Sequence, residues 1–177
     1  MSDLMLDLET LGNGNDAAIV SIGACVFNPF GGEITELFYR TIDLEISSHP
    51  GDLDPGTVLW WLKQDEAARK ALTDPKQHET LPLGEALNQL RGFIIANDAN
   101  RLWSNGPTFD EVIIRSAFRR YEMEFPIPFF GSRCVRTVRG LPNAPKAKPV
   151  HGTAHNALDD AVSQAKHVQE IYRSLVR

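Results

Sequence analysis

Leucines and polar residues alternate near the start of the chain. Every second position from residue 4 to residue 8 is a leucine: Leu4, Leu6 and Leu8. Because strand side chains alternate between two faces, this pattern predicts a β-strand over residues 2–9, with Asp7 and Glu9 on one face about 7 Å apart. Two such carboxylates repel each other, and a divalent cation between them would offset the repulsion. The alternative is an amphipathic edge strand whose polar face lies in water.

Two more strands are predicted directly after the first. Residues 18–27 are rich in small and β-branched side chains, and apolar residues alternate with polar ones over residues 33–42. Turn-forming residues separate the three segments, so we expect an antiparallel meander. Short apolar runs predict two later strands, at residues 102–104 and 129–131.

Helical periodicity or composition predicts five helices. They cover residues 57–72, 83–96, 109–121, 134–141 and 156–176. A segment rich in proline and lysine, residues 142–153, is predicted to be a loop. The sequence therefore predicts one α/β domain over residues 1–177, with a five-stranded mixed sheet whose first three strands are antiparallel, flanked by helices.

The composition is that of an ordinary globular protein, with 42% hydrophobic and 23% charged residues. No run of 18 apolar residues predicts a membrane span, and no secretory signal is recognisable at the acidic start of the chain. Cys25 and Cys134 lack the C-x-x-C spacing of metal or redox motifs. We therefore expect reduced thiols and a cytoplasmic protein.

Charge is distributed unevenly along the chain. The net charge of -5 argues against a protein that coats nucleic acid non-specifically. Residues 1–100 nevertheless contain 16 acidic and 6 basic residues, whereas residues 101–150 contain 4 acidic and 9 basic ones. Cations that hold phosphates beside acids that hold metal would suit a phosphodiester enzyme. The alternative is a set of solvated arginines on helix surfaces.

Asp110 is the first of the later acids that could meet Asp7 and Glu9. It follows a predicted strand and the turn at Asn105-Gly106-Pro107, and it lies in the first turn of the next helix. Strand ends in α/β sheets are where ligands usually bind. An aspartate there also complements the helix dipole, a structural role that alone is worth about 0.3–1 kcal/mol.

His155, Asp159 and Asp160 form the other candidate group, at the start of the last predicted helix. His155 lies where the loop meets the helix, and both aspartates are in the first turns. A polar helix start is the structural alternative. Helical spacing favours Asp159 as the neighbour of His155, but His155 precedes the regular helix, so spacing does not decide between the two aspartates.

The chain resembles the DEDDh family of 3′–5′ exonucleases. Three motifs support the resemblance, in this order: Asp7-x-Glu9, Asn105-x-x-x-Phe109-Asp110 and His155-x-Ala157-Leu158-x-Asp160. The third motif identifies Asp160 as the metal ligand and leaves Asp159 as a bystander. The resemblance implies a ribonuclease H-like fold.

A segment between the motifs resembles one subfamily more closely. Thr57-x-x-Trp60-Trp61-x-x-Gln64, followed by Ala68-Arg69, is similar to phage exodeoxyribonuclease A-type proteins, with which a mycobacterial exoribonuclease group shares the pattern. The subfamily includes DNA and RNA enzymes, so the pattern leaves the sugar of the substrate open.

The resemblance implies a magnesium site with two ions, for which manganese could substitute. The implied ligands and catalytic carboxylates are the four family acids: Asp7, Glu9, Asp110 and Asp160. His155 would accept the proton of the attacking water, since histidine ionises near neutral pH. Two cations held by these carboxylates would activate the attacking water, neutralise the phosphate and stabilise the leaving oxygen of a phosphodiester.

The resemblance also implies a substrate, nucleic acid with a free 3′ end. The predicted contacts to it are Thr10 and Leu11 at the terminal nucleotide, Asn105 and Phe109 along the cleft, and Trp61 or its neighbour Trp60 stacked on a base. We expect single-stranded nucleic acid as substrate, with DNA favoured over RNA. A phosphoester hydrolase and a non-catalytic nucleic-acid-binding module are the rival hypotheses. Relatives often form homodimers, and no membrane association is expected.

Overall fold

A computed structural model describes residues 2–73, 80–149 and 155–175. Its centre is a mixed sheet of six strands in the order β4-β3-β2-β1-β5-β6. The strands are β1 (Ser2–Thr10), β2 (Ile19–Phe27), β3 (Leu37–Ile42), β4 (Thr80–Leu81), β5 (Ala99–Ser104) and β6 (Ser132–Cys134). Strands β1, β2 and β3 pair antiparallel, as predicted, and the other pairings are parallel.

The sheet has six strands where the sequence predicted five. The additional strand, β4, has two residues, too few for a periodic pattern to reveal. The strand predicted at residues 129–131 is instead a 3₁₀ turn, Phe129–Gly131, closed by a hydrogen bond from Gly131 N–H to the Pro128 carbonyl. Strand β6 begins only after this turn. Phe129 and Phe130 are both exposed, so their hydrophobicity did not mark a buried strand.

Six α-helices accompany the sheet in the described part of the chain. They are α1 (Pro55–Trp61), α2 (Glu66–Thr73), α3 (Leu83–Ala96), α4 (Val112–Arg120), α5 (Val135–Arg139) and α6 (Ala157–Leu175). Helix α3 has the predicted limits. Helix α4 is preceded by a π-helical turn, Pro107–Glu111, whose last three residues lie in the segment predicted to be regular helix.

The helix predicted over residues 57–72 is divided into α1 and α2. Helix α1 begins early because Asp54 caps it, accepting a hydrogen bond from Thr57 N–H at 2.7 Å, with Pro55 in the first turn. Asp65 accepts a hydrogen bond from Ala68 N–H at 2.8 Å and so starts α2. The second cap interrupts a stretch whose composition alone favours one helix.

Strand β1 separates the two hydrophobic layers of the domain. Leu4, Leu6 and Leu8 face the layer that contains α3 and α4. Met5 faces the opposite layer, where it packs with residues of β2, β5, α5 and α6. Asp7 and Glu9 share the parity of Met5, so the fold directs them toward α6.

Gly23 allows α6 to approach the sheet closely. It pairs with Asp7 across β1 and β2. A Cβ atom at Gly23 would lie 2.1 Å from the backbone carbon of Ala157, at the start of α6. The missing side chain therefore determines how near the first turn of α6 lies to the acidic face of β1. Among the described residues, no helix is both long and apolar enough to cross a membrane.

Substitution Gly23→Ala should destabilise the protein, because its methyl group would push α6 away from the sheet. We expect the free energy of unfolding, measured with urea, to fall by about 3 kcal/mol or more, at or above the usual cost of overpacking. Gly92→Ala is the matched control. Gly92 lies in α3 with no described atom within 4 Å of an added Cβ, so this change should stabilise by about 0.5–1 kcal/mol. Equal effects of the two variants would contradict the close approach.

Candidate active site

Asp7 and Glu9 form the sheet side of the site. The Asp7 side chain is half-buried and its Oδ1 accepts a hydrogen bond of 2.7 Å from Gln164 Nε2 on α6. Glu9 is buried, with 9% of its surface exposed. Both carboxylates lie on the α6 face of β1, as the alternation predicted, and not on a strand face open to water.

Asp110 reaches the same place from the π-helical turn. Its side chain is 4% exposed, and its Oδ1 accepts a hydrogen bond of 3.2 Å from Leu8 N–H, between the two acids of β1. Gly106 opens this turn with a φ of 128°, and the Arg136 guanidinium lies 3.4 Å from where its Cβ would be. The turn thus fixes Asp110 against the middle of the acidic strand face.

The start of α6 supplies His155 and Asp160. Asn156 Oδ1 accepts hydrogen bonds of 3.1 Å from Leu158 and Asp159 N–H, which caps the helix. Asp160 Oδ2 accepts a hydrogen bond of 3.1 Å from His155 N–H, and His155 has a φ of 62°. The turned-back backbone therefore brings Asp160 close to His155, a relation that regular helical spacing did not predict.

Two of the predicted ligands, together with the predicted base His155, could bind one ion as they stand. Donor atoms of Glu9, His155 and Asp160 lie within 4.8 Å of one another. Asp7 and Asp110 complete the acidic cluster, since each is close enough to another carboxylate of the group for the two charges to repel. The structure thus brings together all five residues that were predicted to be catalytic.

Burial and mutual repulsion raise the pKa values of the acidic cluster. Burial and then repulsion by Asp110, Glu9 and Asp160 raise the pKa of Asp7 well above its ordinary value, although the Gln164 hydrogen bond partly opposes this. Burial, then Asp160 and Asp110, raises the pKa of Glu9 to about 8.

The other two acids follow the same trend. Burial raises the pKa of Asp110 to about 6, against the opposing effects of the Leu8 N–H and of Arg136. Burial also raises the pKa of Asp160. Ionised together, the four acids would carry a concentrated negative charge that needs cations. Hard carboxylate oxygens are the ligands that Mg²⁺ and Mn²⁺ prefer, so this donor set fits divalent metal.

Trp60 and Trp61 enclose His155. The ring centroid of His155 lies 5.1 Å from that of Trp60 and 5.9 Å from that of Trp61, both edge to face. Trp61 is 5% exposed and its Nε1 donates a hydrogen bond of 2.9 Å to the Thr10 carbonyl, whereas Trp60 is 43% exposed. Helix α1 therefore supports His155 from behind, and Trp60 has the more accessible ring.

The remaining predicted substrate residues surround the cluster. Thr10 and Leu11 follow Glu9 directly, and the Thr10 hydroxyl donates a hydrogen bond of 2.7 Å to the Gly12 carbonyl. Asn105 lines a cavity next to Asp160. Phe109 is half-buried against the hydrophobic core. Thr10 and Phe109 thus have structural contacts in addition to the contacts predicted for them.

Sequence reasoning missed two residues, Gln164 and Arg136. Gln164 lies four residues after Asp160 and hence on the same face of α6, a spacing that could have revealed it. Its Oε1 is buried without a hydrogen-bond partner among the described residues, beside the Asp7 carboxylate. Arg136 offered no signal, because its proximity to Asp110 depends on the packing of α5 against the π-helical turn.

Known proteins share this fold. The nuclease domain of 3′hExo, a DEDDh family member bound to rAMP, is similar with a TM-score of 0.65 at 14% identity, over 99% of this chain and 92% of that chain. Exonuclease I of E. coli in complex with a dA16 oligonucleotide has a TM-score of 0.61 at 15% identity, over 96% of this chain and 40% of that chain. The predicted ribonuclease H-like fold is confirmed.

Sequence comparison gives the family. The exodeoxyribonuclease of Enterobacteria phage T4 is 24% identical in an alignment 198 positions long, which includes 90% of this chain and 84% of that protein. Residues 2–172 match the 3′–5′ exoribonuclease Rv2179c-like domain. The predicted resemblance to phage exodeoxyribonucleases and to a 3′–5′ exoribonuclease group is confirmed, as is the predicted hydrolytic nuclease, and the fold is that of a DEDDh family member. Since the match spans nearly the whole sequence, the chain belongs to the family of 3′–5′ exoribonuclease Rv2179c-like domains.

Proposed function

We propose that this protein removes nucleotides from the 3′ end of single-stranded nucleic acid, with DNA favoured over RNA. The observation that carries the proposal is the convergence of Asp7, Glu9, Asp110 and Asp160 with His155 on one face of β1. Such a cluster is costly to the fold unless cations occupy it. DEDDh exonucleases are metal-dependent enzymes, and the four acids would hold two Mg²⁺ ions here, with Mn²⁺ as a substitute.

The residues of this chain have distinct roles in the proposed reaction. Bound cations would neutralise the phosphate and promote formation of the nucleophile. His155 would accept the proton of the attacking water, held toward the cluster by the rings of Trp60 and Trp61. Gln164 would orient Asp7 through its 2.7 Å hydrogen bond. Each of these contacts exists before substrate binds, so little reorganisation would accompany turnover.

The terminal nucleotide would lie against the end of β1. Thr10 and Leu11 would contact it, with Asn105 and Phe109 on the other side of the cleft. Trp61 is the residue that the sequence predicts to stack on a base. Its burial supports a positioning role instead, and the more exposed Trp60 has a ring face for a base. Stacking of one base on an aromatic ring is worth about 1–3 kcal/mol.

We also propose which sugar the substrate contains, deoxyribose rather than ribose. The T4 relative is an exodeoxyribonuclease, and the exonuclease I match is a complex with a DNA oligonucleotide, which supports DNA. The family description and the rAMP complex of 3′hExo support the alternative, an exoribonuclease that trims RNA 3′ ends. A non-catalytic binding module is less well supported, because all four acids and His155 are present.

The domain organisation, the compartment and the assembly of the protein are also proposed. Residues 1–177 would act as one exonuclease domain. Cys25 and Cys134 are free thiols, which supports a reducing compartment such as the cytoplasm. A homodimer, as implied by the resemblance, is the proposed assembly.

We expect 5′-labelled single-stranded DNA to be shortened progressively from its 3′ end, with release of mononucleotides. The same sequence as RNA, and as duplex DNA, should be shortened more slowly. EDTA should abolish the reaction, because the acids would lose their cations, and excess Mg²⁺ should restore it. Gel electrophoresis of the labelled products measures the rate at which each of the three substrates is shortened. Faster digestion of RNA would favour the exoribonuclease alternative, and phosphate release from small esters without shortening would favour a phosphatase.

Asp160→Asn should abolish turnover while the fold persists. The amide retains an oxygen that can accept the His155 N–H but loses the charge that would hold a cation. In EDTA at pH 8 its free energy of unfolding should rise, because the substitution removes one of the repelling charges. Asp159→Asn is the matched control on the adjacent position and should retain activity. Loss of activity in the control alone would reverse the two assignments.

Stability without metal should fall as the pH rises from about 5 to 8. The pKa of Glu9 is raised from 4.5 to about 8, so between these values the folded protein keeps a proton that the unfolded chain releases. Folding therefore loses this contribution as the pH increases. Mg²⁺ should raise the melting temperature more at pH 8 than at pH 5, because protons compete for the same oxygens.

Thermal unfolding in EDTA and in Mg²⁺ across this pH range measures both effects. Glu9→Gln should weaken the dependence of the melting temperature in EDTA on pH. Glu66→Gln is the control, since Glu66 is exposed on α2 and pairs with Lys70 rather than with a residue of the acidic cluster. A flat wild-type profile in EDTA would be incompatible with the proposed burial of repelling carboxylates.

A further inference from the structure

A groove leads away from the acidic cluster along α6. It consists of two adjoining cavities, of about 160 Å³ and about 70 Å³, which share Lys148, Ser163 and His167 in their walls. The first cavity begins at Asp160 and Gln164, and the second extends to Glu170. At a rise of about 1.5 Å per residue, the groove follows α6 for about 15 Å. We refer to it as the α6 groove.

The walls of the α6 groove are basic beyond its inner end. Arg139 lines the first cavity, Lys166 lines the second and Lys148 lines both. Arg139 and Lys166 are exposed and have no hydrogen-bond or ion-pair partner among the described residues. Lys148 pairs with Glu170. Two cations in this groove are therefore available to an anionic ligand, within a protein whose net charge is -5.

The wall opposite α6 is anchored in place. His167 is buried, and its Nε2 lies 2.9 Å from the Pro145 carbonyl. The ion pair between Lys148 and Glu170 ties the same loop to α6 a turn later. The groove is thus bounded by two polar contacts between α6 and residues 145–148.

We propose that the α6 groove binds the backbone phosphates of the substrate strand on the 5′ side of the scissile linkage. The inference rests on the proposed exonuclease function, which places the 3′-terminal linkage at the acidic cluster. The groove starts at that cluster, is longer than the spacing of consecutive phosphates and presents unpaired cations, which are the usual contacts of phosphate groups.

The double variant R139A/K166A tests this inference. For a 20-nucleotide single-stranded DNA, KM should increase at least about tenfold with kcat unchanged, as expected when charge-assisted hydrogen bonds to phosphate are removed. The slope of log KM against log salt should decrease by about 1.4, which is about 0.7 for each phosphate that is no longer neutralised. A nucleoside 5′-(4-nitrophenyl) phosphate, which has no upstream strand, should be hydrolysed at the wild-type rate.

The matched control is R91A/R173A, which removes two exposed arginines outside the groove and should change none of these values. Unchanged KM and salt slope in R139A/K166A would overturn the inference, as would an equal loss on the nitrophenyl ester. Wild-type protein that hydrolyses neither substrate would refute the proposed function instead. Anisotropy of a fluorescein-labelled oligothymidylate then tests the groove without turnover, and equal Kd values for the two double variants would overturn it.

Discussion

Repulsion among four carboxylates is the constraint on which the rest of this structure depends. Asp7, Glu9, Asp110 and Asp160 are held close together, and burial raises the pKa of each, with repulsion from the other acids adding to this at Asp7 and Glu9. A protein would gain stability by separating them. The fold instead keeps them together with specific contacts, as expected where binding of cations, rather than stability of the metal-free chain, determines the arrangement.

Three different local features fix the four acids. Strand alternation orients Asp7 and Glu9, a backbone N–H of β1 binds Asp110, and the N–H of His155 binds Asp160. Gly23 connects these features, because its missing side chain lets the start of α6 lie against the strand that pairs with Asp7. A small change in how α6 packs on the sheet would therefore alter the distances among all four oxygens.

Much of this site could be predicted from the sequence, for identifiable physical reasons. Alternation placed Asp7 and Glu9 on one face, and the periodicity of residues 83–96 and 156–176 gave helices close to the observed α3 and α6. Spacing could not choose between Asp159 and Asp160, because the choice depends on the positive φ of His155 and on the Asn156 cap. Gln164 was missed although its spacing from Asp160 could have revealed it, whereas the proximity of Arg136 to Asp110 arises from tertiary packing.

An acidic protein that acts on a polyanion must attract it locally, because its net charge repels it. The net charge of -5 disfavours general attraction to nucleic acid, and the acidic cluster itself repels phosphates until cations neutralise it. Basic residues along α6 and α5 would supply a local attraction that extends only a few residues from the site. Because such contacts are screened within about a Debye length, they would guide a strand that is already close rather than hold the protein along a long polymer. This distribution favours an enzyme that acts at chain ends.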